Sequence, residues 1–179
     1  MAREWLVFVY TLPSEPSRKR VYVWRRLKKI GAINFQQSLW ILPFSTGAEQ
    51  ALKELEREIA GMEGDSSILI AKAIDGALED RIVRGFEEAR NAEYREIMER
   101  CEDFFAEIEK ETARENFSFA EIEENEEELE KLRNWFEKVK ARDFMGAKLR
   151  GEVEKMLQKC EGLLQRFSET VYEHCGHEL

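Results

Sequence analysis

The sequence is poor in the residue types that mark several common classes of protein. Its 179 residues contain three cysteines, three prolines and two histidines. Cys101, Cys160 and Cys175 are an odd number with no close pairing, which fits a reducing compartment better than a disulfide framework. Cys101 and Cys160 are interpreted as core thiols. Apolar runs stay far below the ~18 residues of a membrane helix, and no cleavable leader is recognisable, so we expect a cytoplasmic protein without membrane contact.

Catalytic machinery is equally scarce. Both histidines lie near the end of the chain, and the sequence has no glycine-rich phosphate loop and no HExxH spacing. We therefore expect no enzyme activity and no cofactor. His174, Cys175 and His177 offer a thiolate and two imidazoles, but a zinc site needs a fourth ligand and a folded frame. They are weak metal candidates, and no metal site is predicted.

The charge is distributed unevenly along the chain. The net charge is −9, yet residues 1–46 carry eight Lys/Arg against two Asp/Glu, a balance of +6. Residues 47–76 have a balance of −4 and residues 77–179 a balance of −11. A polyanion would therefore have to meet the N-terminal part, because the rest of the chain repels it.

The first 76 residues alternate between strand and helix patterns. The run WLVFVYTLP predicts a strand covered on both faces, with Trp5 and Leu6 pointing in opposite directions. A helix is predicted from an N-cap at Ser14 to a C-cap at Gly31. Its predicted apolar face consists of Val21, Trp24, Leu27 and Ile30.

Two strand pieces, 33–36 and 39–42, follow as a tight hairpin or a bulged strand. A helix over 47–62, which buries a face from Ala48 to Ile59, and a strand ILIAKAI complete the pattern. The order β-α-β-β-α-β predicts a ferredoxin-like sandwich over residues 1–76. The second face of its first strand then needs a cover.

Residues 77–179 are predicted to be helical throughout and to supply that cover. Helices are expected over 77–112, 119–142 and 147–174, with apolar residues at heptad-like spacing and Asn125 at a seam position. Short connections make neighbouring helices antiparallel, so this second domain is predicted to be a three-helix antiparallel bundle. The predicted fold class is therefore α+β.

The first predicted helix carries seven cations before Gly31, and on a helical wheel they form a stripe. Such a stripe can bind phosphates or a small oxyanion, whereas a solvated amphipathic helix explains it about equally well. Arginine outnumbers lysine four to three there, which favours anion recognition slightly because a guanidinium binds oxyanions bidentately. The centre of the stripe consists of Arg18, Tyr22, Arg25 and Lys29. Lys19 and Arg26 flank it.

The acidic segment EIEENEEELEK is a weaker candidate for a site. Glu123, Glu126, Glu127 and Glu130 share one helix face and could hold a divalent cation, but carboxylates on a solvated helix usually bind nothing tightly. Pairing with Lys131, Arg133 and the basic stripe is the favoured interpretation.

The longer segments together resemble a known family. The combination of SEPSR, WRRLKKIGA, WILP, RDFMGA and AEIEENEEELEKL is similar to the N-terminal domain of the chromate resistance regulator ChrB, over nearly the whole chain. The resemblance implies a DNA-binding, chromate-responsive repressor associated with a chromate efflux transporter. We assign DNA or oxyanion contact to the matching residues Arg18, Arg20, Arg25 and Arg26. Many family members continue into a second, C-terminal domain beyond the part that this chain resembles.

The N-terminal half also resembles the ferredoxin-like domain of PaaX-type repressors and of the CRISPR-associated Cas2 proteins. In Cas2 an aspartate closes the first strand and is implicated in metal-dependent nuclease activity. Thr11 stands at that place here. Without that carboxylate a Mg²⁺ site has no anchor, so nuclease activity is not expected.

The sequence therefore leaves three candidate functions. The leading one is a DNA-associated, dimeric regulator of resistance to a metal oxyanion, with the basic helix on the phosphate backbone. The second is a protein-interaction or dimerisation module in which the basic helix contacts carboxylates and no DNA is bound. The third is a chromate reductase, which no cofactor motif supports.

Overall fold

The computed structural model describes residues 3–176, which form two compact units that divide after Ala89. Over these residues the chain is α+β, with one four-stranded antiparallel sheet and five helices, as its coarse pattern predicts. The predicted domain boundary after residue 76 stays a prediction. The elements are β1 Trp5–Thr11, α1 Ser17–Lys29, β2 Ile33–Gln36, β3 Leu39–Pro43, α2 Thr46–Gly61, β4 Asp65–Ala71, α3 Gly76–Ala113, α4 Phe119–Lys140 and α5 Arg150–Gly176.

The sheet has the strand order β2-β3-β1-β4, with β1 antiparallel to both β3 and β4. Trp5 lies opposite Pro43 on one side and Ala71 on the other. Of the two alternatives for residues 33–42, the structure has the hairpin, with an irregular register between Asn34 and Gln36. The strands β2 and β4 are therefore the two edges of the sheet.

The core of unit 1, residues up to Ala89, lies between one sheet face and the helices α1 and α2. Leu6 and Phe8 of β1 pack there with fully buried residues of both helices, namely Val23, Leu27, Leu52, Leu55 and Ile59. Full burial of each such side chain contributes roughly 2 kcal/mol. On the other face, Trp5 stacks on Phe86 of α3, with ring centroids 5.7 Å apart, and its indole N–H donates to Glu79. The start of β1 is thus covered on both faces, as predicted, with Leu6 on one face and Trp5 on the other.

The helix α1 differs from its prediction at three points, one of which is its C-cap, Ile30 instead of Gly31. It begins at Ser17 with Pro16 as the N-cap residue, so the predicted cap at Ser14 is wrong. Val23 and Leu27 are buried, whereas Val21 and Trp24 are 44% and 49% exposed. The apolar positions 21, 24 and 27 and the positions 23, 27 and 30 both follow helical spacing, so periodicity alone does not choose between them.

The strand β4 lies three residues earlier than predicted, because it pairs along the whole of β1, from Thr11 opposite Asp65 to Trp5 opposite Ala71. Ile74 is consequently outside the strand and 90% exposed. The turn before β4 is tight. A Cβ atom on Gly64 would lie 2.6 Å from the carbonyl oxygen of Thr11 and 2.7 Å from Ile59.

In unit 2, the helices α4 and α5 and the second part of α3 contribute to one apolar core. Cys101 and Cys160 are fully buried in it, so their interpretation as core thiols is confirmed. The predicted heptad positions of α4, including Asn125, are buried. The helix α5 starts at Arg150 instead of Ala147, because the Asp143 carboxylate accepts the N–H groups of Gly146 and Ala147 in a turn.

Unit 2 contains a buried polar group that its sequence pattern does not predict. Arg90 is 1% exposed, and its Nη1 lies 3.3 Å from Glu93 Oε2. The other oxygen of Glu93 lies 3.3 Å from Arg142 Nη2. Next to them, Tyr94 donates its hydroxyl hydrogen to Asp143 at 3.1 Å. Positions 90 and 94 continue the buried spacing from Phe86 to Ile97, so the period marks them as buried although their chemistry is polar.

None of the helices in residues 3–176 combines the length and the apolar character needed to cross a bilayer.

Candidate nucleic-acid interface

The basic helix α1 presents a mixed cationic and aromatic face to solvent. Arg18, Val21, Tyr22 and Arg25 stand at i, i+3, i+4 and i+7, so they share one side of the helix. Together with Ser17, Lys19 and Met62 they line a shallow depression of about 660 Å³. All four side chains are exposed.

Four cations of α1 are open to a ligand, and we call them the open cations: Arg18, Arg20, Arg25 and Lys29. Each is exposed, and within residues 3–176 none of them has a carboxylate oxygen within 4.0 Å. The helix has no acidic residue in its sequence, so it cannot neutralise them itself. A guanidinium with an unused fork of donors is suited to bidentate contact with an oxyanion.

The other predicted site residues contact glutamate. Tyr22 donates its hydroxyl hydrogen to Glu58 Oε2 at 2.9 Å, and Arg26 Nη2 lies 3.2 Å from Glu58 Oε1. The hydrogen bond to Glu58 raises the pKa of Tyr22 above its ordinary value. Nearby, Lys19 donates to the carbonyl oxygen of Met62 at 3.0 Å. The predicted stripe is therefore divided between cations that face solvent and side chains held by α2.

An exposed aromatic residue accompanies the cations of α1. Trp24, predicted to be buried, is on the surface, and the Lys28 ammonium lies 5.9 Å from its ring centroid. Aromatic side chains between cations are common where proteins contact nucleic acids, because they stack while the cations bind phosphates. The signal in the sequence was available, since Trp24 lies between Arg20 and Lys28 at helical spacing.

The acidic face of α4 contains ordinary surface ion pairs. Glu123, Glu126, Glu127 and Glu130 are exposed. Lys131 lies 3.9 Å from Glu127, as predicted, whereas Arg133 pairs with Glu161 of α5 instead. In the part of the chain that the structure describes, no three His, Cys, Asp or Glu side chains are grouped as a metal site.

The C-terminal candidates are only partly within the described residues. The His174 ring packs against Phe117 at a tilt of 34°, with ring centroids 4.3 Å apart, and Cys175 Sγ lies 3.9 Å from the Phe117 carbonyl oxygen. His177 lies outside the described residues.

The position that corresponds to the Cas2 carboxylate has an acid across from it. Thr11 ends β1, and its cross-strand partner is Asp65. The Asp65 carboxylate accepts the backbone N–H of Ser66 at 3.0 Å.

The comparisons with known proteins agree with the resemblance to the N-terminal domain of ChrB. The family model described as Protein ChrB, N-terminal, matches residues 20–178. The chain belongs to this family. A curated relative, Protein ChrB of Cupriavidus metallidurans, is 28% identical over 100 residues, which cover 56% of this chain and 27% of the relative. The matched region thus spans about a quarter of that relative's length. No solved structure matches the chain. Of the predicted site residues, all but Arg18 lie within the family match.

Proposed function

We propose that this chain is a regulatory protein of chromate resistance that binds DNA through α1. The observation that carries the proposal is the set of open cations, Arg18, Arg20, Arg25 and Lys29, on a helix without acidic residues. Membership of the ChrB N-terminal family supports the regulatory part. Repression of a chromate efflux operon and a response to chromate are the specific roles proposed. No catalysis and a cytoplasmic location belong to the same proposal.

The proposed scaffold has two parts. Unit 1 is inferred to be a ferredoxin-like sandwich, because its order is β-α-β-β-α-β and its sheet order β2-β3-β1-β4 is antiparallel throughout. Unit 2 is inferred to be a three-helix antiparallel bundle, because α3, α4 and α5 share one apolar core and are joined by short connections. In this scaffold α1 is one of two helices on the same sheet face, with its basic side in solvent.

The test is binding of the wild type and of R18E/R25E to labelled duplex DNA from the gene's own upstream region, at several salt concentrations. We expect tight, salt-sensitive binding by the wild type. The variant should lose about tenfold or more in affinity, and its slope of log affinity against log salt should fall by about two, because two phosphate contacts are removed.

A matched control changes the net charge by the same amount elsewhere. Arg95 and Lys155 are exposed residues of unit 2 without a carboxylate within 4.0 Å in residues 3–176. R95E/K155E should keep wild-type affinity and salt slope. Equal losses of DNA affinity in both variants would mean that overall charge, and not α1, determines binding. Unchanged binding by R18E/R25E would show that α1 is not part of the interface. Chromate added to the wild-type complex should release the DNA.

A second candidate function is a dimerisation module, and the free edge of β4 favours it. This strand pairs only with β1 within the described chain, and Leu69 and Ile70 are 57% and 58% exposed. An unpaired edge with apolar side chains is a template for another strand. We propose that its occupant is β4 of a second copy, because a strand that carries one charge, Asp65, can pair antiparallel with itself without repulsion along its length. Sedimentation of the wild type and L69K/I70K distinguishes a dimer from a monomer.

A further inference from the structure

A second cationic surface of unit 1 lies away from the predicted stripe. The strand β2 and the first turns of α3 form the walls of a groove of about 570 Å³, which we call the β2–α3 groove. The helix approaches the strand closely at Gly85, where a Cβ atom would lie 2.9 Å from Ile33 Cδ1. Ile82 and Phe86 turn into the interior. The residues between them, Arg81 and Arg84, are therefore left on the rim.

The groove is cationic. Arg81, Arg84 and Lys28 line it, against the single carboxylate of Glu88. Arg84 and Glu88 are one helical turn apart, yet the structure has no ion pair between them, and arginine before glutamate is the less favourable order for such a pair. Within residues 3–176 neither Arg81 nor Arg84 has a carboxylate oxygen within 4.0 Å. Two guanidinium groups are thus available to an anion.

An aromatic ring orients one of them. The Arg81 guanidinium carbon lies 4.6 Å from the ring centroid of Phe35. The guanidinium thus makes a cation–π contact with the ring, and Arg81 as a residue remains exposed. Asn34 and Gln36 are exposed residues of the same strand and line the groove, and the Asn34 amide donates to the carbonyl oxygen of Gln37. Stacked planes next to cations and amides are the features that bind unpaired bases and their phosphates.

The size of the groove selects among anions. Its volume lies within the range of ~300–1,000 Å³ that is typical for pockets of drug-sized ligands, so one tetrahedral oxyanion would leave most of it empty. A nucleotide with its phosphate fills such a space and uses the stacked plane as well. A duplex offers no unpaired base to that plane, so single strands fit the groove better than duplexes do.

We infer that the β2–α3 groove binds single-stranded nucleic acid, with a base on the Arg81–Phe35 stack and a phosphate at Arg84 and Lys28. This site is separate from the open cations of α1. It does not rest on the proposed duplex binding, and each can fail alone.

The experiment measures fluorescence anisotropy of labelled dT12 and of a random 24-bp duplex with the full chain. R81E/R84E should weaken dT12 binding about tenfold or more and change duplex binding less than about threefold, because stacking and phosphate contacts to the single strand are lost. R18E/R25E should show the opposite preference. R95E/K155E is the control for charge, and circular dichroism confirms that each variant is folded.

A conservative variant separates stacking from charge. R81K/R84K keeps both positive charges and removes the planar groups, so dT12 affinity should lie between those of the wild type and R81E/R84E. If R81E/R84E binds dT12 within twofold of the control variant, the inference is overturned, while duplex binding through α1 still stands. If the wild type binds dT12 through the groove but no duplex, the proposed function fails instead. Absence of binding to either probe overturns both.

Discussion

The two units use their positive charges in different ways. In unit 2 many cations pair with an acid one helical turn away, as Lys110 does with Glu107, Lys131 with Glu128 and Arg150 with Glu154. In unit 1 the open cations of α1 have no such partner, because that helix contains no acidic residue. Helices that carry both signs neutralise themselves and remain soluble, whereas a helix of one sign remains available to a ligand of the other.

The largest predicted effect is on the free energy of unfolding. It concerns Arg90, the buried cation of unit 2, which the Glu93 carboxylate should stabilise. Glu93→Gln removes the charge that faces Arg90, and burial already lowers the pKa of Arg90. We expect the free energy of unfolding to fall by about 3–5 kcal/mol, because the buried guanidinium loses its nearest carboxylate. Chemical denaturation measures it.

Arg90→Met is the control for that experiment, because it removes the cation and preserves most of the volume. Its cost should be clearly smaller than that of Glu93→Gln. Equal costs for the two variants would mean that packing, and not charge, determines the stability at this position.

An intermediate effect is expected at Tyr94, whose hydroxyl donates to Asp143. Tyr94→Phe should cost about 1.5 kcal/mol at pH 8, because the lost hydrogen bond has a charged acceptor. Burial raises the pKa of Tyr94 above its ordinary value. The hydroxyl therefore ionises at a lower pH in the unfolded chain than in the folded chain.

The sign of the pH dependence follows from that shift. The stability that Tyr94 contributes is complete below the unfolded pKa of about 10 and is lost as the pH rises through that value towards the folded pKa. The difference between wild type and Tyr94→Phe should therefore shrink between pH 9 and pH 11 in denaturation experiments. A constant difference would show that Tyr94 titrates alike in both states.

The smallest effect is a gain of binding in unit 1. Glu58→Gln should remove the ion pair that holds Arg26 to α2 and add Arg26 to the open cations, while the glutamine oxygen can still accept the Tyr22 hydroxyl hydrogen. Affinity for duplex DNA should rise by about two- to fivefold, because another phosphate contact becomes available. Stability should change little, since the pair is partly exposed. Glu54→Gln, on the same helix and without an ion pair in the described chain, should leave affinity closer to that of the wild type.

Much of the fold could be predicted because long periodic segments determine their own structure. The patterns place β2, α2, α3 and α4 within two residues of their bounds. The face of α1 could not be predicted, because two sets of apolar residues share helical spacing and only contact with α2 decides between them. The strand β4 was misplaced because its polar start, Asp65 to Ser67, is specified by pairing with β1.

The candidate site was predictable in composition but not in partners. The sequence places the cations on one helix, whereas Glu58 reaches Arg26 only because α1 and α2 lie side by side. The β2–α3 groove was unpredictable for the same reason. Arg84 is far from Lys28 and Phe35 in the chain, and it meets them through tertiary packing.

Gly64 shows how genetic data on this protein should be interpreted. Every other amino acid brings at least one carbon into a space already filled by the Thr11 carbonyl oxygen and the Ile59 side chain. A substitution at Gly64 therefore acts by lowering the amount of folded protein. A mutant isolated there for loss of regulation would identify no contact with a ligand, although the position lies near Met62 at the margin of the α1 depression.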